Sequence, residues 1–348
     1  MSQYDSVRAV EWHDNHLVLL DQRKLPHAEK YIQLFNAPDI AEAITNMVVR
    51  GAPAIGITAA YAMVLAARKA FKQYPQDWRV RLIPDYETLL ASRPTAINLK
   101  WALQRMMRKI DQVDDRNDPI GQLLEHARAI HREDIEANYR MGRLGSALIK
   151  PSHGVITHCN TGSLATGGYG TALGVIRSAY ADQRIEHVYA DETRPWWQGS
   201  RLTAWELIKD QIPVHLMCDG AAAHLMKQGK ISWAIVGSDR IAANGDVANK
   251  IGTYSLAINA RYHNVGFMVV APTSTIDMNT ACGDDIPIEE RGQDEVLSVA
   301  GQRIATPHAE AYNPAFDVTP AKLVTALVTE KGVVLNPNAE KVAELMAS

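Results

Sequence analysis

The sequence predicts an α/β fold in which a mainly helical first part precedes a doubly wound parallel sheet. Helical periodicity dominates the chain up to about residue 150, and beyond Pro151 five short β-rich runs alternate with helical segments. A length of 348 residues suggests two domains, and 47% apolar with 22% charged residues is typical of a protein with a sizeable core. We expect a division into units 1–140 and 141–348.

The first part begins with a hairpin and continues with helices. Residues 7–12 and 16–20 are β-rich and flank a turn that contains Asp and Asn. Asp39 and Thr95 are the predicted N-caps of the first and third helices. Two glycines fall within the fourth helix, and we expect them to bend or break it. The predicted helices cover residues 39–48, 54–70, 97–110 and 120–149.

The second part has the pattern of a parallel sheet. Because right-handed crossovers place such strands side by side, ligands are expected beyond the carboxyl ends of the strands. A looser segment, residues 273–314, either covers this cleft or forms a solvated surface loop, and we favour the loop. The β-rich runs are residues 154–159, 187–190, 214–218, 233–237 and 266–271. The helical segments between them are residues 169–182, 200–210, 221–228 and 249–262.

Charge and composition favour a small-molecule partner. The formal net charge is −3, so no overall positive field exists to hold a nucleic-acid backbone. The most apolar stretch, residues 54–67, is shorter than the roughly 20 residues that span a bilayer, and residues 1–6 lack the features of a secretory signal. We therefore expect a cytoplasmic protein without nucleic-acid or membrane partners. Three widely spaced cysteines, Cys159, Cys218 and Cys282, favour reduced thiols and predict no structural zinc site.

Cys159 stands at the predicted carboxyl end of the first strand of the sheet, next to a turn. A thiol at that place faces the ligand edge. The usual role of a free cysteine is that of a small buried apolar residue, which we assign to Cys218 and Cys282. The neighbouring His158 points to the opposite face of an extended strand, so adjacency alone does not establish a Cys/His nucleophilic pair.

A glycine-rich segment, residues 162–170, follows Cys159 and precedes a helix. Its glycines permit close backbone approach and the helix start offers free amides, a combination that suits a phosphate. It lacks the ending of a Walker A loop, whereas three glycines beginning at Gly168, with Asp191 downstream, imitate a dinucleotide fingerprint. Gly168 lies nine residues beyond Cys159, too far from the strand for a dinucleotide turn, so a dehydrogenase remains the weaker alternative.

Polar residues also follow the fourth predicted strand. Asp239 comes shortly after it, where apolar walls raise the pKa of a carboxyl group and allow general acid or base catalysis. The alternative is a helix cap or an ion pair with Arg240. Asn249 and Lys250 add an amide and a cation at the predicted start of the next helix, where they favour an anion.

Two arginines in the helical part have a similar setting. Arg50 precedes Gly51-Ala52-Pro53 and a helix start, which suits a phosphate or a sugar hydroxyl, and Arg93 precedes another proline. Each is otherwise a solvated arginine beside a helix. Trp196 and Trp197, at a strand-to-helix junction, form either an apolar wall for a substrate, a subunit contact or part of a core.

At these residues the sequence resembles the methylthioribose-1-phosphate isomerase family. Its superfamily also contains ribose-1,5-bisphosphate isomerases and regulatory subunits of a translation-initiation exchange factor. The resemblance spans nearly the whole chain, and residues 196, 197, 200 and 238 depart from what is common in that family. Its motifs are residues 50–56, 92–95, 158–163, 192–195, 198–206 and 237–250.

The resemblance implies an aldose-ketose isomerase that works as a homodimer without a metal or a nicotinamide cofactor. It also implies a helical N-terminal domain and a Rossmann-like C-terminal catalytic domain. By this resemblance Cys159 and Asp239 correspond to the catalytic pair. The implied substrate-binding residues are Arg50, Gly51, Ala52, Arg93, Gln198, Asn249 and Lys250.

The implied reaction converts 5-methylthioribose 1-phosphate to 5-methylthioribulose 1-phosphate in methionine salvage. Alternatives are isomerisation of 5-deoxyribose 1-phosphate, a noncatalytic subunit that senses sugar phosphates or nucleotides, and an NAD-dependent oxidoreductase. A phosphate on the anomeric oxygen prevents opening to a free aldehyde. The reaction therefore needs either a hydride shift, with Asp239 handling the protons, or an enolate-like intermediate, with Cys159 as base if its pKa is depressed.

Overall fold

The structure, a computed structural model, describes residues 4–116 and 118–348, so the first half of the N-terminal segment 1–6 lies outside the described residues. Its helices are α1 (Ala37–Thr45), α2 (Ala52–Gln73), α3 (Trp78–Arg81), α4 (Ile83–Ser92), α5 (Ile97–Gln112), α6 (Pro119–Ser146), α7 (Ala172–Ala181), α8 (Ala204–Lys209), α9 (Ala222–Lys227), α10 (Thr253–Tyr262), α11 (Asp294–Leu297) and α12 (Ala339–Ala347). Its strands are β1 (Val10–His13), β2 (His16–Leu20), β3 (Tyr31–Leu34), β4 (Ser152–Thr157), β5 (Ile185–Asp191), β6 (Val214–Met217), β7 (Ile231–Val236), β8 (Arg240–Ala242), β9 (Val247–Lys250), β10 (Gly266–Val270), β11 (Ile276–Asp277), β12 (Ser298–Val299), β13 (Gln302–Arg303), β14 (Phe316–Thr319), β15 (Ala326–Val328) and β16 (Val333–Leu335).

The predicted N-terminal hairpin is confirmed. Strands β1 and β2 pair in antiparallel fashion with His13 opposite His16, and a third strand, β3, which the sequence pattern does not indicate, completes the sheet. Strand β3 is half exposed and only four residues long, so it lacks the alternating apolar pattern that identifies longer strands.

Helix α2 lies at the centre of the first hydrophobic core, where it packs against α5 and α6. It has 22 residues, so the expectation from residues 54–67 that the segment is too short to span a bilayer is wrong on length. Among the described residues it is the one helix that passes a test of length and composition for crossing a membrane. However, 83% of its apolar window is buried inside the protein, as in a packed core helix.

Two predicted helix caps are wrong. The N-cap of α1 is Asn36, whose side chain accepts a hydrogen bond from the backbone N–H of Asp39, so Asp39 lies inside the helix. The N-cap of α5 is Ala96 rather than Thr95, and no side chain caps that end. In both cases the N-cap is a different residue within three positions of the predicted one.

The two glycines of α6 do not break the helix. They let α7 approach closely, because a Cβ on Gly145 would lie 2.5 Å from the Val175 side chain and one on Gly142 would lie 2.7 Å from Ser178 Oγ. Helix α6 therefore runs without a break through residue 140, where we predict the division into two units.

The central sheet has seven strands in the order β16-β15-β10-β7-β4-β5-β6. All five predicted strands are present and pair in parallel, which confirms a mixed α/β fold with a mainly parallel sheet. The chain adds β5 and β6 on one side of β4 and then returns to add β7 on the other. The crevice beyond the carboxyl ends of β4 and β7 is therefore a topological switch point, where ligands bind in such sheets.

A smaller sheet, ordered β11-β8-β9-β14, stands beside this crevice. Strands β8 and β9 form a hairpin around Asn244-Gly245, and this corrects one prediction. Asn249 and Lys250 lie on β9 and not at a helix start, since α10 begins only at Thr253. An Asn-Gly turn between short apolar runs is a hairpin signal that the sequence already carried.

Candidate active site

Cys159 and Asp239 lie at the switch point between β4 and β7. Cys159 follows β4 in a left-handed conformation, with φ of 62°, and is only 4% exposed. Its amide donates to Thr193 Oγ1 at 2.9 Å and its carbonyl accepts from Thr203 Oγ1 at 2.6 Å. Asp239 follows β7, and its amide donates to the carbonyl of Ala248 at 3.0 Å. Both side chains line the same cleft.

The cleft consists of two adjoining cavities. Arg50, Cys159 and Asp239 line both of them, while Lys250 and Asn249 each line one. Side chains from the helical part, the central sheet and the smaller sheet thus meet around one space. Every residue singled out as catalytic or substrate-binding lines it: Arg50, Gly51, Ala52, Arg93, Cys159, Gln198, Asp239, Asn249 and Lys250.

Burial dominates the titration of the groups in this cleft. It raises the pKa of Asp239, although the positive charges of Lys250, Arg50 and Arg93 partly oppose the rise. It also lowers the pKa of Lys250, while Cys159 and Asp239 act in the opposite direction. A carboxyl group with a raised pKa suits proton exchange near neutral pH.

The thiol of Cys159 behaves differently from the expectation for a base. Burial raises its pKa, and the charges of Arg50 and Lys250 only partly offset that effect. Arg50 Nη2 lies 3.9 Å from Cys159 Sγ, whereas the shorter hydrogen bonds of Arg50 are donated by Nη1 to Asn160. The depressed pKa required for Cys159 to act as the base of an enolate route is therefore absent in the free protein.

The alternative role of Asp239 as an ion-pair partner of Arg240 is wrong. Arg240 donates to the carbonyl of Thr95 at 2.7 Å and pairs with Asp277 at 3.5 Å. Among the residues that the structure describes, no side chain hydrogen-bonds the carboxylate of Asp239. It is available to a molecule in the cleft.

The start of α2 is open to the cleft, and we call Arg50, Gly51 and Ala52 the open cradle. Gly51 is the N-cap, with φ of 92°, and no side chain caps the helix. The first amides of a helix lack intrahelical partners, and the positive end of the helix dipole favours an anion there. Lys250, whose Nζ also donates to the carbonyl of Ala315 at 2.8 Å, lines the same cavity.

The glycine-rich segment 162–170 is not a phosphate site, which corrects the expectation from its glycines. Its amides at Ser163 and Leu164 donate to the carboxylate of Glu206 at 2.7 and 3.1 Å. Glu206 is fully buried and pairs with the equally buried Arg177 at 2.9 Å. We call residues 162–170 with Glu206 the filled cradle, because a side chain of the chain itself occupies the place of the anion.

His158, Asp191 and Asp219 form the one group of metal-ligating side chains found among the described residues, with ligand atoms within 4.8 Å of one another. Most of their polar atoms already have protein partners, the exception being Asp191 Oδ1. His158 Nδ1 lies 2.9 Å from Asp191 and Nε2 lies 2.8 Å from the carbonyl of Ile251, while Asp219 accepts from the amides of Thr193 and Arg194. This donor set favours a hydrogen-bonded cluster over a metal site, and the expectation of no metal stays a prediction.

The segment 273–314 covers part of the cleft, so our preference for a solvated loop is wrong for its middle. Ile286, Pro287 and Ile288 line the cavity that contains Cys159. The adjoining Glu289 lies 3.5 Å from Arg93, which ties the segment to the helical part. The clustered acids of this segment favoured the prediction of a solvated loop, although a short apolar run, residues 286–288, lies between them.

Trp196 and Trp197 do not form a wall of the cleft. They line a separate surface cavity together with Arg201, and Arg291 and Arg194 lie over their respective rings. Gln198, the next residue, does line the cleft. The π-helical turn Gly199–Thr203 begins immediately after it, so this junction turns one side chain inward and the indoles away.

Glu206 and Phe316 also shape the cleft and its surroundings, and neither is among the predicted site residues. Glu206 contacts residues more than 40 positions away, and no local pattern identifies such a pairing. Phe316 lies on β14, which pairs with β9 so that Phe316 is opposite Lys250. Its aromatic ring lies 4.5 Å from Lys250 Nζ.

The chain is similar to known proteins over nearly its whole length. The family model described as the initiation factor 2 subunit family matches residues 48–336. A methylthioribose-1-phosphate isomerase of Thioalkalivibrio sulfidiphilus is 62% identical, covering 99% of this chain and 98% of its own. One of Nitrosococcus oceani is 60% identical, covering 99% of each.

Solved structures resemble the whole chain. A 5-methylthioribose 1-phosphate isomerase from Pyrococcus horikoshii is similar with a TM-score of 0.93 and 43% identity, covering 99% of this chain and 97% of its own. A protein from A. fulgidus described as subunit delta of translation initiation factor eIF-2B has a TM-score of 0.86 and 40% identity, covering 97% of this chain and all of its own.

Proposed function

The chain belongs to the initiation factor 2 subunit family, and within it we propose that the protein is an aldose-ketose isomerase that converts 5-methylthioribose 1-phosphate to 5-methylthioribulose 1-phosphate. It acts in methionine salvage. The observation that carries the proposal is that Cys159 and Asp239, from adjacent strands, share one cleft with the open cradle and Lys250. That combination offers proton exchange beside an anion site.

The phosphate of the substrate lies at the open cradle in this proposal. Arg50 and Lys250 supply positive charge, and the free amides at the start of α2 supply hydrogen-bond donors. Asn249 and Gln198 supply amide groups for the sugar hydroxyls, and both are buried enough to hold fixed orientations. The proposed site draws on both of the predicted units 1–140 and 141–348.

The apolar side of the cleft suits a methylthio group at C5. Met47, Ile55, Ile286, Ile288 and Phe316 line the cavity that also contains Lys250. A second phosphate there would have to be desolvated against apolar side chains, which is costly. A 5-deoxy sugar fits but buries less apolar surface, so we expect the methylthio substrate to have the higher kcat/KM, by about 10-fold or more.

A hydride shift fits the titration of the two catalytic groups. An acid gives a proton to the ring oxygen as the bond from C1 to that oxygen breaks, and the hydride then moves with its electron pair from C2 to C1. A base takes the proton of the 2-hydroxyl as the carbonyl forms at C2, so one proton enters and one leaves. Asp239 performs both transfers, while the neutral thiol of Cys159 lies against the reacting carbons.

The test is an NMR assay of the purified protein with 5-methylthioribose 1-phosphate and with 5-deoxyribose 1-phosphate, without nicotinamide. We expect the ketose phosphate to form, faster from the first substrate. Deuterium placed at C2 should appear at C1 of the product, whereas an enolate route would exchange it with solvent. Absence of turnover with either sugar would overturn the proposal.

Substitution of the proposed acid provides a second test. Asp239→Asn should lower kcat by about 10²- to 10⁴-fold with little change in substrate affinity, because the amide keeps the shape but cannot transfer the proton. The exposed Asp284→Asn is the matched control and should leave kcat unchanged. Equal rates for both variants would remove Asp239 from the mechanism.

The likeness to the A. fulgidus translation-factor subunit makes a noncatalytic sensor the second candidate. The simultaneous presence of Cys159 and Asp239 in the cleft favours the enzyme. Tight binding of the sugar phosphate without turnover, together with unchanged affinity in Asp239→Asn and Cys159→Ser, would favour the sensor instead.

A homodimer in the cytoplasm completes the proposal. The expectation comes from the resemblance, and the surface of α10 supports it because Tyr254, Ile258 and Tyr262, spaced four residues apart, are exposed on one face. Light scattering on the purified protein should give twice the chain mass of 38.4 kDa. Changing Tyr262 and Ile258 to Asp should give the monomer.

A further inference from the structure

His158 joins the catalytic strand to the turn that follows Lys250. Its side chain is 1% exposed, and both ring nitrogens have partners on different elements. Nδ1 lies 2.9 Å from Asp191, the last residue of β5, and Nε2 lies 2.8 Å from the carbonyl of Ile251, the first residue beyond β9. One imidazole therefore connects the ends of β4, β5 and β9.

The hydrogen atoms on this ring are fixed by its partners. A backbone carbonyl only accepts, so the Nε2 atom of His158 must carry a proton and donate it to Ile251. On the other side a proton is shared between Nδ1 and Asp191, whichever of the two groups formally holds it. Breaking either contact leaves a buried polar atom without its partner.

The turn that follows β9 is tightly packed against His158. Gly252 packs directly on the imidazole, so that a Cβ on Gly252 would lie 2.8 Å from the ring of His158. The amide of Gly252 donates to Asp317 at 2.8 Å, and the hydroxyl of Thr253 donates to the carbonyl of Lys250 at 2.6 Å. The position of the backbone at Lys250 thus depends on what His158 holds.

We propose that His158 is a positioning residue: its donation to Ile251 sets the place of Lys250 opposite Cys159 and so fixes the anion site of the cleft. This role deepens the proposed function, since the anion is taken to be the phosphate of the sugar. His158 itself touches neither the cleft nor the substrate in this arrangement.

Two substitutions separate the contacts of His158. In His158→Gln the side-chain amide reaches about as far as Nε2, so it keeps the donation to Ile251 and loses Asp191. In His158→Asn the amide reaches about as far as Nδ1, so it keeps Asp191 and loses Ile251. Both shorten or flatten the same buried ring and leave comparable gaps, so a purely structural role predicts equal effects.

The measurement uses inorganic phosphate and the thiol in the cleft. In a background with Cys218→Ser and Cys282→Ser, iodoacetamide reports on Cys159 alone, and phosphate at the open cradle should slow its alkylation. We expect the phosphate concentration for half protection to rise at least 10-fold in His158→Asn and less than 3-fold in His158→Gln. KM for the sugar phosphate should follow the same order, with kcat changing less.

Equal loss of phosphate protection in the two variants would overturn the proposal, as would a loss that follows their thermal stability. If neither variant folds, Asp191→Asn replaces them, because its amide donates to Nδ1 of His158 and leaves Nε2 donating to the carbonyl of Ile251. Phosphate protection should then stay within 3-fold of the parent, and a larger loss refutes the proposal. Failure of the isomerase proposal appears separately, as absent turnover in the parent protein with phosphate protection intact.

Discussion

The open cradle and the filled cradle both place a glycine before backbone amides near a helix, yet they end in opposite states. At the filled cradle, Glu206 accepts two amides and neutralises part of the charge of Arg177 inside the protein. At the open cradle, Gly51 and Ala52 face the cleft with Arg50 and no carboxylate caps the helix. The same local signal therefore serves either internal stability or ligand binding.

The difference lies in which anion the chain supplies. Asn160 links the two regions, because it accepts from Arg50 and donates to Glu206 at 2.9 Å. The buried carboxylate thus orders the loop that carries Cys159, and the arginine beyond it is left for an external anion. We therefore expect substitutions at the filled cradle to affect stability and substitutions at the open cradle to affect binding.

The largest effect is expected at Glu206. Glu206→Gln removes one of the two carboxylate charges that pair with the fully buried Arg177 among the described residues, and Asp210 supplies the other. Loss of one partner of a buried pair should lower the free energy of unfolding by about 3–5 kcal/mol in urea titration. The control is Glu125→Gln, an exposed residue paired with Arg128 at the surface, which should change it by less than about 0.5 kcal/mol. A change below about 1 kcal/mol at Glu206 would contradict the distinction.

The next effect concerns activity. Lys250→Met removes a cation from the cleft, beside the open cradle, while keeping most of its apolar stem. Loss of a charge-assisted contact to the phosphate should lower kcat/KM by about 10²- to 10³-fold with the urea midpoint nearly unchanged. Lys69→Met, at a surface site where the ammonium lies 4.0 Å from Asp85, is the control and should retain full activity. If Lys250→Met instead lowers the urea midpoint and leaves kcat/KM unchanged, Lys250 stabilises the fold and does not bind the phosphate.

The positions of Cys159 and Asp239 were predictable because they depend on topology. Short β-rich runs separated by helices identify a parallel sheet, and the switch-point rule places the residues after two of those strands in one crevice. Glu206 was not predictable, because the amides that donate to it lie more than 40 residues away, Arg177 lies 29 residues away, and any buried acid on a helix has the same local pattern. Asn249 was assigned to a helix because four residues of β9 are too few to show alternation.

A third, smaller effect compares one glycine from each region. A Cβ on Gly51 would lie 2.5 Å from the Cβ of Ala165 at a φ of 92°, and one on Gly162 would lie 2.2 Å from Glu206 Oε2. Gly51→Ala and Gly162→Ala should each lower the free energy of unfolding by about 1–3 kcal/mol. At a temperature where both variants are folded, only Gly51→Ala should raise KM for the sugar phosphate. An equal rise in KM for both would mean that the two regions are not functionally separate.

The smallest effect comes from Asp134, a carboxylate on α6 that contacts the filled cradle. Asp134 accepts the amide of Gly167 at 2.7 Å and a hydrogen bond from Asn138 at 3.0 Å, and burial raises its pKa to about 6 from 3.8. Because the pKa is higher in the folded state, the protonated form favours folding. Its contribution is complete below about pH 3.8 and is lost as the pH rises through 6.

Asp134→Asn keeps a neutral acceptor for Gly167 and removes this titration. The variant should match the parent protein in urea unfolding near pH 4 and exceed it by about 1–3 kcal/mol near pH 7, since each unit of pKa shift corresponds to about 1.4 kcal/mol. The exposed Asp284→Asn, measured alongside, should leave the pH dependence unchanged. If the parent and Asp134→Asn show the same slope between pH 4 and pH 7, this acid does not resist burial. A charge at Asp134 would then be tolerated beside the filled cradle as a charge at Glu206 is. The Glu206–Arg177 pair would then be the one remaining feature by which the filled cradle differs from the open cradle.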